Sequence, residues 1–221
     1  MRKGNLRMGN ANGMGRGLLI AALLVVGLAV AVPANAIVFN LTSDHCTGGC
    51  APAGTIFGTV TLTQNGGNVL VDVDLFDSFA FAKTGAVDDQ AFKFNATGVV
   101  VGDITVTQNA TGQTLAADTG AFNGDGTGNF SFGIICTTCG NGGSSAFSTD
   151  VIFTVANATI ADLTAPNNLG NVFVADIINT TTGVTGPIDA TVPNVPEPAS
   201  LLLLGSGLLG LGAWRWKKSQ V

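Results

Sequence analysis

The chain has 221 residues and a formal net charge of -5, but its charges are unevenly distributed. Residues 37–195 hold two lysines, no arginine and thirteen aspartates, a net charge of -11. A polyanionic surface without arginine cannot follow a phosphate backbone, which excludes nucleic-acid binding and disfavours adhesion to anionic lipid. Threonine, asparagine, glycine and aspartate supply most of the polarity and tyrosine is absent, a composition typical of an extracellular β-protein.

The first predicted element is a secretory signal peptide over residues 1–36. Arg2 and Lys3 begin a positively charged stretch, and an apolar run follows over residues 17–32. Ala34 and Ala36 supply small residues at the two positions that a signal peptidase must accommodate. The apolar run is shorter than the roughly 20 residues of a membrane anchor. We therefore expect export through the Sec translocon and cleavage by signal peptidase after Ala36, with an uncleaved N-terminal anchor as the alternative.

The predicted exported domain spans residues 37–184. Two runs with alternating apolar and polar residues, 55–64 and 69–75, flank an Asn-Gly turn and predict a β-hairpin. Further strands are predicted at 37–41, 91–94, 99–107, 130–135, 151–156 and 171–178. Their spacing predicts an all-β fold, an antiparallel β-sandwich of jelly-roll or Greek-key type. We expect it to be flanked by an N-terminal signal helix and a C-terminal transmembrane helix.

The four cysteines form two close pairs in the sequence, Cys46 with Cys50 and Cys136 with Cys139. An even number of cysteines in an exported chain predicts disulfide bonds. Local pairing is favoured because both pairs lie in Gly/Thr-rich turns, while crossed pairing would join the N-terminal segment to the middle of the domain. A zinc site that uses these thiolates together with His45 is the third alternative.

Candidate catalytic residues are few. His45 is the single histidine, and the chain has no G-x-S-x-G nucleophile frame. A Cys–His nucleophile pair stays open on sequence grounds, and thirteen aspartates could include the carboxylate pair of a glycosidase. We expect no enzymatic activity, with a secreted hydrolase as the alternative.

One glycine-rich loop could bind a cation. Oxygen-bearing side chains alternate there with glycines, as in calcium loops, although the bidentate glutamate of an EF-hand is missing. The candidate calcium ligands are Asn123, Asp125, Thr127 and Asn129. A second acidic cluster consists of Asp72, Asp74 and Asp77. A plain turn is the favoured interpretation of the loop, so we expect no cofactor, with Ca²⁺ as the one candidate.

The C-terminal tail, residues 195–221, has three parts. A proline-containing motif holds the chain extended, an apolar span at about 199–216 is long enough to cross a bilayer, and a basic cluster keeps the end cytoplasmic. The motif consists of Val195, Pro196, Glu197 and Pro198, and the basic cluster of Arg215, Lys217 and Lys218. Residues 185–194 are predicted to be a Pro-rich linker that lifts the domain off the membrane.

These three parts, in this order, resemble the PEP-CTERM sorting signal of Gram-negative bacteria. The resemblance covers about the last 27 residues. It implies recognition by an exosortase, a membrane transpeptidase-like enzyme with a Cys-His-Arg site. It also implies an intermediate anchored in the inner membrane that is processed and passed to the cell surface or the extracellular matrix. An ordinary C-terminal membrane anchor is the alternative.

The expected function is that of an exported cell-surface or extracellular-matrix protein, associated with exopolysaccharide or biofilm and without enzymatic activity. Extracellular polysaccharide is a candidate partner. A carbohydrate- or surface-binding adhesion module is the main alternative, although the domain has neither tryptophan nor tyrosine for stacking on sugars. The loosely alternating Phe76, Phe79 and Phe81 could form an aromatic patch, and the Thr59-Val60-Thr61-Leu62-Thr63 run could form a threonine face for ice binding.

Overall fold

The computed structural model describes residues 35–84, 90–107 and 112–191. Twelve strands and one four-residue helix, α1 (Ile160–Leu163), lie within these ranges. In chain order the strands are β1 (Ala36–Leu41), β2 (Ser43–Asp44), β3 (Gly58–Asn65), β4 (Asn68–Leu75), β5 (Phe79–Phe81), β6 (Gln90–Phe94), β7 (Ile104–Val106), β8 (Leu115–Asn123), β9 (Asn129–Cys136), β10 (Val151–Val155), β11 (Asn171–Asn179) and β12 (Thr185–Thr191). The all-β prediction is confirmed.

The strands form two antiparallel sheets. The first sheet has the order β1-β3-β4-β10-β7. The second has the order β2-β12-β11-β6-β9-β8, and β5 also pairs with β11. Phenylalanine rings join the two sheets, with Phe39 of β1 edge-on to Phe173 of β11 at 4.9 Å between ring centroids. Phe153 of β10 stacks on Phe94 of β6 at 5.3 Å. The core is therefore the aromatic layer between the sheets.

The predicted hairpin is present as β3 and β4. The two strands pair in continuous register from Gly58 opposite Leu75 to Asn65 opposite Asn68. In β4 the valines at 69, 71 and 73 are fully buried, while Leu70, Asp72 and Asp74 lie on the opposite face of the sheet. The period-2 pattern found the hairpin because only one of its faces contacts the core.

The linker predicted at residues 185–194 is wrong for its first seven residues. Thr185–Thr191 is strand β12, buried at every position from Gly186 to Ala190. It lies between β2 and β11 and pairs with β11 in an almost continuous register. Pro187 and Gly186 suggested a loop, but the neighbouring strands supply enough contacts to hold them in the sheet. The folded domain therefore extends to Thr191 and is not limited to residues 37–184.

Other elements depart from the prediction as well. The strand expected at 99–107 is a 3-10 turn, Val101–Asp103, followed by the short strand β7. Strand β8 was missed because its Ala, Asp and Gly residues carry little strand preference, and pairing with β9 alone holds it in the sheet. No helix within the described ranges is long and apolar enough to cross a membrane. The expected signal and transmembrane helices fall on residues outside those ranges.

One buried ion pair lies within the second sheet. Lys93 of β6 and Asp176 of β11 are both fully buried, and Lys93 Nζ is 2.7 Å from an Asp176 carboxylate oxygen. Burying either charge alone would cost several kcal/mol, so each one requires the other. The pair connects two neighbouring strands, β6 and β11, near the middle of β11.

The two ends of the sandwich are built differently. At the tail end, β1 begins and β12 ends, and helix α1 lies in the loop that joins β10 to β11. At the opposite end, β1 leads into β2 and β11 turns into β12; we call it the disulfide end because Cys46–Cys50 and Cys136–Cys139 are bonded there. The loops of the tail end are residues 66–67, 95–103, 124–128 and 156–170. The described loops of the disulfide end include residues 45–57, 76–78, 82–84, 112–114, 137–150 and 180–184.

Candidate functional site

The chain leaves the described domain at Thr191, on the tail end. Thr191 lies opposite Asn171, the first residue of β11. Two residues before Thr191, Asp189 is paired with Ser43 of β2, and the backbone N–H of Thr42 donates to the Asp189 carbonyl at 3.0 Å. Three residues, 192–194, separate Thr191 from Val195. The predicted sorting motif therefore begins almost directly after a fixed strand.

Most of the predicted processing residues lie outside the described ranges. This holds for Ala34, for the motif at 195–198 and for the basic cluster of Arg215, Lys217 and Lys218. Ala36 is described, and it is the exposed first residue of β1, opposite Thr63. The preceding residue, Asn35, accepts a hydrogen bond from the Gln64 backbone N–H at 3.0 Å. The expected signal-peptidase site and the exit to the tail thus lie at the same end of the sandwich.

Both cysteine pairs are joined locally, which confirms the favoured pairing. Cys46 bonds to Cys50 and Cys136 to Cys139, each with 5.4 Å between the Cα atoms. The zinc alternative is wrong, because all four sulfur atoms are in disulfides and none can be a thiolate ligand. Both bonds lie at the disulfide end, where they close loops of only a few residues.

Asp44 organises the first of these loops. Its carboxylate accepts the backbone N–H groups of Cys46, Cys50 and Ala51 at 2.9, 2.7 and 3.2 Å. These charge-assisted bonds gather the amides of the cysteine loop around one anion. Asp44, Cys46 and Cys50 lie close enough together to resemble a metal cluster, but the carboxylate is satisfied by amides and the sulfurs are satisfied by each other.

His45 is paired with a buried carboxylate. Its Nε2 atom lies 2.7 Å from Asp189 Oδ2, and the Asp189 side chain is almost fully buried. Burial raises the pKa of Asp189, while His45 and the Ser43 side chain act in the opposite direction. Because the adjacent Cys46 is in a disulfide, His45 cannot activate it as a nucleophile. The observed contact of His45 instead joins the cysteine loop to the last strand, β12.

The acidic cluster predicted from Asp72, Asp74 and Asp77 gains a fourth member, Asp150. Burial raises the pKa of Asp74, and the charge and hydrogen bond of Asp150 and the charge of Asp77 raise it further. Burial and the charge of Asp72 raise the pKa of Asp150, which the hydrogen bond from Asp74 partly offsets. Burial and then Asp74 raise the pKa of Asp72. Sequence reasoning missed Asp150 because only the pairing of β10 with β4 places it there.

The candidate calcium loop forms the turn between β8 and β9. Thr127 is fully buried, and its hydroxyl donates to the Gly124 carbonyl at 2.7 Å. Asn123 Oδ1 accepts the Asp125 backbone N–H at 3.1 Å. Asn129 is exposed at the start of β9. Two of the four predicted ligands, Asn123 and Thr127, therefore make hydrogen bonds within the turn itself.

A shallow, open cavity of about 560 Å³ lies at the disulfide end. Polar groups of Asp77, Ser78, Thr181 and Thr182 line part of it, together with backbone around Cys50. The buried Asn179 shapes its wall, since its side chain donates to the Cys50 carbonyl at 2.8 Å and accepts the backbone N–H groups of Thr181 and Thr182. Sequence analysis gave no signal for this cavity, because its lining comes from three separate loops.

The two surface patterns proposed from the sequence are only partly on the surface. Phe79 and Phe81 are buried, and Phe76 alone is exposed, so the three do not form a patch. The threonines of β3 share a half-exposed face, where Thr61 lies between Val38 and Asp72 on the neighbouring strands. That face mixes threonine with apolar and charged side chains.

A family model of the PEP-CTERM protein-sorting motif matches residues 194–218. The tail carries a PEP-CTERM motif. The resemblance inferred from the Val195–Pro198 motif, the apolar span and the basic cluster is thereby confirmed. The PEP-CTERM motif indicates an exported protein that is anchored in the membrane and processed by an exosortase. None of the curated proteins and none of the solved structures compared with the chain matches it.

Proposed function

We propose that this protein is a non-enzymatic, disulfide-bonded substrate of an exosortase, displayed on the cell surface or released into the extracellular matrix. The observation that carries the proposal is the match of residues 194–218 to the PEP-CTERM motif, only two residues after the end of β12. The sandwich and the sorting signal are thus directly consecutive. In the proposed route, the signal peptide is removed after Ala36 and the tail holds the intermediate in the inner membrane.

The disulfides support an extracytoplasmic destination. Cys46–Cys50 and Cys136–Cys139 leave none of the described cysteines free. Structural disulfides form and persist in oxidising compartments and are rare in the cytosol. The acidic, arginine-free composition of residues 37–195 fits the same destination, because a strong net charge disfavours association between copies.

One arrangement supports a role without catalysis. The thiol that could have partnered His45 is oxidised, and His45 contacts Asp189 of β12.

Binding of extracellular carbohydrate at the disulfide end is the second candidate function. The cavity supports it, because the side chains of Asp77, Ser78, Thr181 and Thr182 offer carboxylate and hydroxyl groups to a polyhydroxylated ligand. The substitutions Asp77→Ala and Thr181→Ala should weaken retention on the extracellular polysaccharide of the producing cells by several-fold. Retention unchanged by both substitutions would remove this candidate and leave the role of exosortase substrate intact.

Fractionation of cells with and without the sorting enzyme tests the main proposal. The full chain should reach the surface or the medium with its tail processed when the enzyme is present, and should stay in the inner membrane at full mass when it is absent. Pro196→Ala and Glu197→Ala should block processing, while the matched change Pro193→Ala, outside the Val195–Pro198 motif, should not. A chain that is processed equally with and without the enzyme would overturn the proposal.

A further inference from the structure

The distance between the sandwich and the sorting motif is very short. Strand β12 ends at Thr191 and the motif begins at Val195. A fully extended chain spans at most about 3.6 Å per residue, so Val195 lies within about 14 Å of Thr191. A domain of this size has a radius of gyration of about 15 Å. An enzyme that binds the motif at residues 195–198 therefore meets the end of the sandwich from which the tail leaves.

Residues 192–194 form a tether between the sandwich and the motif. Releasing β12 from the sheet would lengthen this tether, but at a large cost in free energy. Residues 186–190 are buried, and β12 has a strand on each side, β11 along its length and β2 at Ile188 and Asp189. His45 adds a side-chain contact to Asp189. Removing β12 from the sheet would expose the buried Ile188 and break hydrogen bonds to both neighbouring strands. The folded end of the sandwich is thus the surface that the enzyme approaches.

That end carries apolar side chains on its loops. Val100 is 64% exposed, and Val101, the next residue, is 38% exposed. Leu169 is 58% exposed and lies two residues before β11. Hydrogen bonds place these loops at the tail end, since the Ala156 N–H donates to the Asp103 carbonyl and the Thr97 N–H to the Asp162 carbonyl. Val100, Val101 and Leu169 are thus apolar side chains that solvent reaches at the end of the sandwich from which the tail leaves.

The electrostatics favour a protein over lipid as the partner of this surface. The exported domain has a net charge of -11, and an anionic bilayer surface would repel it. At the tail end, Asp103 accepts the Val100 backbone N–H, and Asp162 accepts the N–H and hydroxyl of Thr159. These bonds hold the two carboxylates on their own loops, and the Asp72/Asp74/Asp150 cluster lies outside the tail-end loops.

We propose that the exosortase contacts the folded sandwich at Val100, Val101 and Leu169 while it holds the PEP-CTERM motif, so that recognition includes the domain as well as the tail. This inference rests on the proposed sorting route and adds a second contact surface to it. The three residues of the tether set the distance between the two contacts.

The first test compares matched charge substitutions at the two ends in the full-length precursor. The pair Val100→Asp and Leu169→Asp should slow conversion to the processed form about fivefold or more in cells that contain the enzyme. The pair Ile56→Asp and Phe76→Asp, at similarly exposed positions of the disulfide end, should change the rate less than twofold. Equal rates for the tail-end pair and the unchanged chain would overturn the inference.

The second test separates a lost contact from a folding defect. Twelve Gly/Ser residues inserted between Asn194 and Val195 should uncouple the motif from the sandwich, so that the tail-end pair no longer slows processing. The same slowing with the long tether would indicate misfolding and would overturn the inference. A photo-crosslinking residue at position 169 should capture the enzyme, whereas capture of lipid alone would contradict the contact.

Failure of this inference can be told apart from failure of the sorting proposal. If Glu197→Ala blocks processing and the tail-end pair does not slow it, the enzyme recognises the motif but does not recognise the sandwich. If Glu197→Ala has no effect, the sorting proposal itself fails, and the contact surface fails with it.

Discussion

The loops at the two ends of the sandwich are stabilised by different interactions. At the disulfide end, two covalent bonds close loops of a few residues, and the Asp44 carboxylate gathers three amides of the first loop. The described residues of the tail end include no cysteine, and hydrogen bonds from side-chain amides hold its loops instead. Gln64 Nε2 donates to the carbonyls of Gly66, Asn68 and Ala158, and its Oε1 accepts the Ile160 N–H.

A second amide, Asn167, completes the tail end. It donates to the Thr127 carbonyl at 2.7 Å and accepts the N–H groups of Leu169 and Asn171. Hydrogen bonds of this kind depend on each partner being in place, whereas a disulfide constrains the unfolded chain as well. In our proposal, the end that meets the sorting enzyme is therefore held by reversible hydrogen bonds, while the opposite end is fixed covalently.

The largest expected change in stability comes from removing the Lys93–Asp176 ion pair, which lies between the two ends. Lys93→Ala should lower the free energy of unfolding by about 3–5 kcal/mol, because it leaves the buried Asp176 carboxylate without its cation. Both ends should lose hydrogen-exchange protection together, as measured in urea titrations with exchange detected by mass spectrometry. Lys83→Ala, at a partly exposed position, should cost clearly less. Separate unfolding of the two ends would show that the pair does not join them.

Removal of a disulfide should affect one end only. The double substitution Cys46→Ser and Cys50→Ser should cost about 2 kcal/mol, the value expected for a loop of four or five residues. Faster amide exchange should appear at Thr181, Thr182 and Val184, next to the opened loop. The tail-end amides of Ala158 and Ile160 should keep their protection. Loss of protection there would contradict the independence of the two ends.

The matching change at the tail end is Gln64→Ala. It removes four hydrogen bonds made by one side chain and should cost about 1–2 kcal/mol, because water replaces part of them. Amides of the α1 loop should exchange faster, while those beside the disulfides should not change. Gln64→Glu keeps the acceptor for the Ile160 N–H but places a carboxylate oxygen against three carbonyl oxygens, so it should cost at least as much as Gln64→Ala. A clearly smaller loss for Gln64→Glu would show that the three donated bonds contribute little.

The smallest expected effect is the response to acid, which should differ in sign between the ends. The pKa values of Asp74 and Asp150 are raised on folding, so this pair adds stability as the pH falls through the folded values, in full below about 3.8. The Thr159 hydroxyl and N–H lower the pKa of Asp162, so its stabilisation is present above 3.8 and lost on acidification. Asp150→Asn should stabilise the protein at pH 7 by less than about 1 kcal/mol, since the cluster is largely solvated. Thermal melts from pH 7 to pH 3 measure both effects.

Sequence patterns predicted the elements whose environment is local. The β3–β4 hairpin follows from its alternation and its Asn-Gly turn, and local pairing of the cysteines follows from their spacing in glycine-rich turns. The PEP-CTERM motif is a linear sequence signal over residues 194–218, so it could be recognised without knowledge of the fold. Strand β12 was missed because its stability comes from β2 and β11, which lie far away in the sequence.

The PEP-CTERM motif, the β-rich class and the pairing of the cysteines could be predicted from sequence, because each depends on residues that are close neighbours along the chain. Three features required the folded structure: Asp150 lies beside Asp74, His45 contacts Asp189, and the domain continues to Thr191. These contacts join strands that lie up to 144 residues apart, and only the packing of the sheets brings them together. The short distance from fold to sorting motif follows from that packing.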